Sequence, residues 1–192
     1  MRFFVSVEPA IPVVDRLSLL QDECAHAIKS AHGAARWTPA PHIRLNLKVM
    51  QNLEAGAAQR VREMLEDFAK ALAPFSFESK GTQWMHDPGM AKLLTTQVHD
   101  PSGTLEALQQ HIDQAADHIG FQRDTHPWKP HILLGRLATP KTAVDFEPIF
   151  APFEHTAWGR TECKELILFR SQLVGRSART RVVRRFQLGS GK

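Results

Sequence analysis

Residues 41–49 read Pro41-His42-Ile43-Arg44-Leu45-Asn46-Leu47-Lys48-Val49, and the first five return 89 positions later as Pro130-His131-Ile132-Leu133-Leu134, identical at four of five places. A unit that recurs in this way constrains the whole architecture rather than one local site. The first copy alternates, with Ile43, Leu45, Leu47 and Val49 on one face and His42, Arg44, Asn46 and Lys48 on the other. Alternation of this kind predicts a half-buried strand over 42–49. Its polar side is a row of imidazole, guanidinium, amide and ammonium, suited to gripping an anion. The second copy predicts a matching strand over 130–137.

Working outward, residues 2–7 are aromatic and β-branched and predict a strand ended by Pro9 and Pro12. Val14, Leu17, Leu20, Cys24, Ala27 and Ile28 recur at helical spacing and predict a helix over 13–31, stopped by Gly33. Asn52 is placed to cap a second helix to about 72, with Leu53, Ala57, Val61, Met64, Leu65 and Phe68 as its buried stripe and Pro74 beyond its end. Strands follow over 75–83 and 91–99, around a His86-Asp87-Pro88-Gly89 turn. A third helix spans 104–119 and stops at Gly120, and Phe121 leads into an extended stretch before the second motif. Residues 139–153 hold three prolines and read as a loop with one short helix. Two strands over 163–173 and 180–188, joined through Gly175, close the chain, and Gly189-Ser190-Gly191-Lys192 reads as a frayed tail.

This order predicts an α+β fold of mainly antiparallel sheet with flanking helices. The repeat makes it two pseudo-symmetric lobes around a central cleft, a single bilobal domain over 1–192. If each motif strand lies centrally in its own sheet, the two polar faces look at each other across the cleft.

A chain of 192 residues that is 43% apolar can bury a core without staples. Cys24 and Cys163 are far apart in sequence and read as two buried free thiols, which points to a reducing, cytoplasmic setting. The apolar run at 3–7 is shorter than a signal-peptide core, and no segment approaches the roughly 18 apolar residues of a membrane span, so no membrane partner is expected. Residues 160–192 hold nine Lys and Arg against two acidic groups, a net +7 within a chain of +4, which leaves −3 on the remainder. Such a segment is either an anion-facing surface or a solvated, Arg-rich strand pair.

Among ten histidines, the matched context singles out His42 and His131. Two facing imidazoles suit a reaction in which one proton leaves an attacking oxygen while another joins a departing one, because a ring that titrates near neutrality can serve as either base or acid. Phosphodiester cleavage makes this demand. His111 and His118 are too far apart on one helix to share a metal ion, and neither a His-Glu-x-x-His nor a paired-cysteine spacing occurs, so neither metal nor cofactor is expected.

With these residues in view, the chain resembles the 2H phosphoesterase superfamily, and within it the RNA 2′,3′-cyclic phosphodiesterases also called 2′-5′ RNA ligases. The resemblance spans almost the whole chain. It includes Met1-Arg2-Phe3-Phe4-Val5, Arg36-Trp37 before the first motif, Ala73-Pro74-Phe75, Gly120-Phe121, the run Pro130-His131-Ile132-Leu133-Leu134-Gly135-Arg136, and Leu166-Ile167-Leu168-Phe169-Arg170-Ser171 with Gly175. It implies metal-independent opening of a 2′,3′-cyclic phosphate on an RNA or oligonucleotide end to a 2′-phosphate, with 2′-5′ joining as the reverse reaction. It also implies His42 as the acid that protonates the leaving 3′ oxygen and His131 as the base that activates water. The sequence alone leaves these roles open, since the reverse reaction exchanges them.

The chain departs from the family pattern two residues after each histidine, where a Thr or Ser offers its hydroxyl to the phosphate and this sequence has Arg44 and Leu133. A guanidinium can hold two phosphate oxygens at once, so Arg44 is expected to bind phosphate. Leu133 offers nothing comparable, and losing one preorganised donor costs about 10²- to 10³-fold in turnover. A weakened enzyme, an inert RNA- or nucleotide-binding relative, and a 2H enzyme for another cyclic nucleotide all remain open. Arg136 matches the family arginine after the second motif. Strict alternation puts it opposite His131, a conflict that a bulge would resolve. Asn46 and Lys48 are expected to bind substrate from the first motif strand, and Trp128 with His126 from the loop before the second, the indole stacking on a base. Trp37 is expected in the core. We expect a monomer whose RNA binding is salt-sensitive and weakened by neutralising Arg179, Arg181 or Arg184.

Overall fold

Both motif strands lie in the middle of one curled antiparallel sheet. The computed structural model describes residues 2–31, 33–51, 55–86, 92–138, 147–174 and 177–189. Its elements are β1 (Arg2–Val7), α1 (Ile11–Ser30), β2 (Ala34–Trp37), a 3-10 turn (Ala40–His42), β3 (Leu45–Gln51), α2 (Ala55–Ala71), β4 (Phe75–His86), β5 (Lys92–His99), α3 (Thr104–His118), β6 (His131–Ala138), α4 (Glu147–Phe150), a second 3-10 turn (Ala151–Phe153), β7 (Ala157–Cys163), β8 (Glu165–Val174) and β9 (Ser177–Gln187). The sheet order is β7-β4-β5-β6-β3-β1-β8-β9, with β2 paired to β6 outside this path. The fold is α+β and antiparallel throughout, as expected. Its two halves, β6-β5-β4-β7 and β3-β1-β8-β9, have four strands each and are joined edge to edge rather than standing as separate sheets.

Several expected elements shift for identifiable reasons. Helix α1 begins at Ile11 because Pro12 falls in its first turn, where a missing N–H costs nothing. The first motif strand begins at Leu45, three residues later than alternation predicts, because Pro41 cannot donate to a ladder and His42 closes a turn by donating its N–H to the Pro39 carbonyl at 2.7 Å. Strands β2 and β7 carry no clear period-2 signal and were not foreseen. Gly189 is not frayed: its N–H donates to the Ala69 carbonyl at 2.7 Å, tying the chain end to α2. The Asn52 cap, Leu53, the Asp87-Pro88-Gly89 turn, residues 139–146, Gly175 and the Ser190-Gly191-Lys192 tail lie outside the described residues.

The core lies between one face of the sheet and α1, α2 and α3, and includes Val5, Leu17, Leu45, Leu47, Leu65, Ile112, Ile132 and Leu168. Helix α1 packs on β7, β2 and β6, α2 on β8 and β9, and α3 on β3. Cys24 and Cys163 are free and buried, and burial pushes both thiols up to about 12, so neither ionises readily. Among the described residues, no helix is long and apolar enough to cross a membrane.

Candidate active site

Strands β3 and β6 meet at the backbone pairing of Leu45 with Ile132, and both side chains are fully buried against the helices. Side chains alternate across a strand. The residues flanking this pairing therefore turn to the opposite face, Asn46 standing across from His131 and Arg44 across from Leu133. His42 arrives by another route. Trp37 of β2 pairs with Gly135 and the Thr38 N–H donates to the Leu134 carbonyl at 2.9 Å, so the chain leaves β6 there and returns to it at Leu45. His42 projects from that short excursion, half-buried, close enough to Arg44 to feel its charge.

The electrostatics of the first motif follow from burial. Arg44 is 9% exposed, and its guanidinium carbon lies 4.1 Å from the centre of the Phe169 ring and 5.4 Å from that of Phe4. Its Nη1 is buried and has no hydrogen-bond partner among the described residues. Burial lowers the Arg44 pKa, while the Glu8 carboxylate pulls the other way. For His42, burial first and the Arg44 charge second hold the ring below its usual 6.5. A buried donor without a partner is rare and costly, and a positively charged one gains most from an anionic partner.

In the second motif, His131 opens β6, and its Nδ1 lies 2.7 Å from the Lys129 carbonyl oxygen. A carbonyl only accepts, so Nδ1 carries the proton and Nε2 is the working nitrogen. Arg136 reaches the same face as His131 because β6 holds one extra residue. Thr95 pairs with Leu133 and Leu94 with Gly135, leaving Leu134 unpaired on β5, so Leu93 and Arg136 fall in line with Gln97 and His131. The conflict in strict alternation is resolved by this bulge. Gln21 of α1 holds it in place, donating from Nε2 to the carbonyls of Leu134 at 2.7 Å and Thr38 at 2.8 Å.

Other expected site residues are placed as follows. The Asn46 amide oxygen accepts from Ser6 Oγ at 2.8 Å, which turns its NH₂ end away from β1. Lys48 leaves the polar face. A register shift between Val5 and Ser6 makes Leu47 an extra residue, and Lys48 turns under α3, 2% exposed, where its ammonium is bound by Asp113, by the Gln122 carbonyl at 2.9 Å and by Asp124 at 3.1 Å. Trp128 is half-buried against the core and donates from Nε1 to the Asn46 carbonyl at 3.3 Å, and His126 stays in the exposed loop beside Thr125. Trp37 packs on the core, over Gly135. Arg184 pairs across β8 with Leu168 and binds Glu66 of α2 at 3.0 Å, and Arg181 and Arg179 pair with Arg170 and Gln172 on that same helix side. These three arginines therefore face away from the histidines.

Residues that the sequence did not suggest complete the picture. The neighbouring rings of Phe4 and Phe169 lie under Arg44, and Glu8 is held near it by Arg185, which also binds Glu165. Only strand register reveals them. No hydroxyl among the described residues replaces the one absent at Leu133. Thr95 lies directly across from it but is fully buried and donates to the Gln83 carbonyl at 3.3 Å.

Comparison with known proteins gives the family and the fold. A family model described as the 2′-5′ RNA ligase superfamily matches residues 7–174. A relative named RNA 2′,3′-cyclic phosphodiesterase, from Methanothermobacter thermautotrophicus, is 22% identical over 173 residues, covering 90% of this chain and 91% of its own. The crystal structure of TT0787 of Thermus thermophilus superposes with a TM-score of 0.80 at 18% identity, covering 100% of both chains. That of E. coli LigT complexed with 3′-AMP superposes with a TM-score of 0.70 at 16% identity and 97% coverage of each.

Proposed function

The chain belongs to the 2′-5′ RNA ligase superfamily, and from that premise we propose that it opens 2′,3′-cyclic phosphates on RNA or oligonucleotide ends to 2′-phosphates, without a metal, with 2′-5′ joining as the reverse. The observation that carries this reading is the unpartnered, buried Nη1 of Arg44, set between His42 and the strand crossing that brings in His131. An anion reaching this guanidinium would complete the hydrogen bonding of Arg44, beside His42 and on the sheet face that also carries His131.

In the ring-opening direction, His131 Nε2 takes a proton from water as the water oxygen attacks phosphorus. The bond from phosphorus to the 3′ oxygen breaks, and His42 protonates that oxygen. The products are a 2′-phosphate and a 3′-hydroxyl. The Nδ1–H bond to Lys129 fixes the His131 tautomer that this base requires. His42 must be protonated when substrate is bound, which burial and Arg44 oppose in the free protein. A phosphate anion against Arg44 offsets that charge and raises the affinity of the His42 ring for its proton. Arg44 and Arg136 stabilise the negative charge that develops on the phosphorane oxygens.

Leu133, with Thr95 committed elsewhere, favours one second reading, a relative that holds such ends with little turnover. An oligonucleotide bearing a 2′,3′-cyclic phosphate, incubated with the protein in EDTA, separates the two. A 2′-phosphate product that disappears with His42→Ala and with His131→Ala supports the enzyme, whereas binding without product supports the second reading. Equal product from the wild type and both variants overturns the assignment of the histidines.

A further inference from the structure

Arg36 faces Arg136 directly across the β2–β6 pairing. Cross-strand partners share a face, and the bulge at Leu134 puts Arg136 on the face of His131, so Arg36 stands there too. Like charges set opposite each other destabilise a sheet. Both side chains are exposed, and the backbone beneath them is fixed by the Thr38–Leu134 hydrogen bond and by the Trp37 ring, which a Cβ on Gly135 would approach to 2.8 Å.

We propose that Arg36 is a second phosphate-binding residue, one that engages the phosphate of the neighbouring nucleotide and so selects an oligonucleotide end over a lone cyclic nucleotide; this rests on the reading of the site given above. Position along β6 supports it. His131 and Arg136 are separated by about 15 Å at the usual rise per residue, and the reacting phosphate belongs between them, near Leu133. The Arg36–Arg136 pair lies beyond it, within reach of the next phosphate of a strand that leaves the site along β6. Two nearby cations are committed elsewhere: Lys48 to Asp113 and Asp124, and Arg185 to Glu8 and Glu165. Arg36 has no ion pair among the described residues.

Affinity for reaction products tests this without requiring turnover. A dinucleotide ending in a 2′-phosphate is compared with the corresponding nucleoside 2′-phosphate by titration calorimetry at several salt concentrations. The wild type should prefer the dinucleotide by roughly tenfold, the effect of one charge-assisted contact. In Arg36→Gln that preference should collapse, and the dependence of log K on log salt should flatten by about 0.7. Arg36→Lys should keep the salt slope, which guards against a merely structural effect of the glutamine. A wild type with no preference, or a preference and slope unchanged in Arg36→Gln, overturns the proposal. A wild type that shows the preference but opens no cyclic phosphate overturns the catalytic reading and leaves the second phosphate site standing.

Discussion

Leu45 and Ile132 face each other where the two halves of the sheet join, and both are fully buried. Arg44, Asn46 and His131 take their facing from that pairing, since shifting either strand by one position would exchange its two faces. Leu45→Ala should cost about 2–5 kcal/mol and Ile132→Val about 0.5–1.5 kcal/mol, read by urea unfolding. Under conditions where it still folds, Leu45→Ala should also lower kcat/KM. Leu65→Ala, equally buried in α2, which packs on β8 and β9, should lose stability alone. Equal activity loss in both variants would remove the special role given to the pairing.

Leu133 stands where the family resemblance implies a phosphate-binding hydroxyl, and Thr95 opposite it is turned to the Gln83 carbonyl. Leu133→Thr should therefore raise turnover, by tenfold or more given that one such donor is worth about 10²- to 10³-fold. The position is half-buried on the histidine face, so the polar group meets little desolvation cost. Unchanged or lower kcat would mean that Arg44 already supplies all the stabilisation the phosphate receives.

The pH profile should reveal the coupling of His42 to Arg44. Burial and then Arg44 place the His42 pKa below 6.5 in the free protein. As the acid of the forward reaction it must be protonated, so kcat/KM should fall as pH rises through that lowered value. Bound phosphate offsets Arg44, so the same limb in kcat should lie at higher pH. In the free protein Arg44→Gln should raise the His42 pKa, followed by the ring proton shift in NMR, without restoring 6.5, because burial is the larger cause. The stability linkage has a matching sign. A histidine whose folded pKa is depressed contributes stability that is present above 6.5 and lost as pH falls through the lowered value. Coincident limbs in kcat and kcat/KM would remove the phosphate coupling.

Lys48 acts on the frame of the site through its buried contacts. Lys48→Met removes the main partner of the buried Asp113 carboxylate, which keeps the Asp124 N–H and Arg123, and should cost about 1–3 kcal/mol, part of which Lys48→Met combined with Asp113→Leu should recover. Burial alone would raise the Asp113 pKa, and the hydrogen bonds from Lys48 and the Asp124 N–H bring it below the usual 3.8. Its contribution is thus present above 3.8 and lost as pH falls through the depressed value, and the single variant should weaken that acid-side dependence, the Asp124 N–H and Arg123 remaining. Unfolding curves measured across acid pH check both points.

The repeat made the two histidines and the antiparallel α+β fold legible because burial on one face imposes period 2 on the sequence. Where a residue is inserted into a strand that signal fails. The extra Leu47 sends Lys48 under α3, and the extra Leu134 returns Arg136 to the histidine face; neither insertion alters composition. The arginines of β9 show the same limit. Their number was visible in the sequence, but only register shows that Arg184 serves Glu66 on the far side. Strand β2 was too short to announce itself, and the partnership of Arg36 with Arg136 went with it.

Gln21 gives the bulge a handle that can be tested. It is 6% exposed in the apolar stripe of α1, and its side chain serves two carbonyls, one of them on the inserted Leu134. Gln21→Leu removes these donors, leaving the Leu134 carbonyl with the Thr38 N–H alone and the Thr38 carbonyl without this donor, at a cost of about 1–2 kcal/mol. If the bulge relaxes toward regular pairing, Arg136 turns off the histidine face while His131, on the other side of Leu134, stays in place. Activity should then fall mainly through weaker phosphate binding, appearing in KM more than in kcat. Gln21→Glu keeps the size but presents a carboxylate to two carbonyls and should be worse in both stability and KM. A Gln21→Leu variant with lowered stability but wild-type KM would show that β6 keeps its extra residue without help from α1.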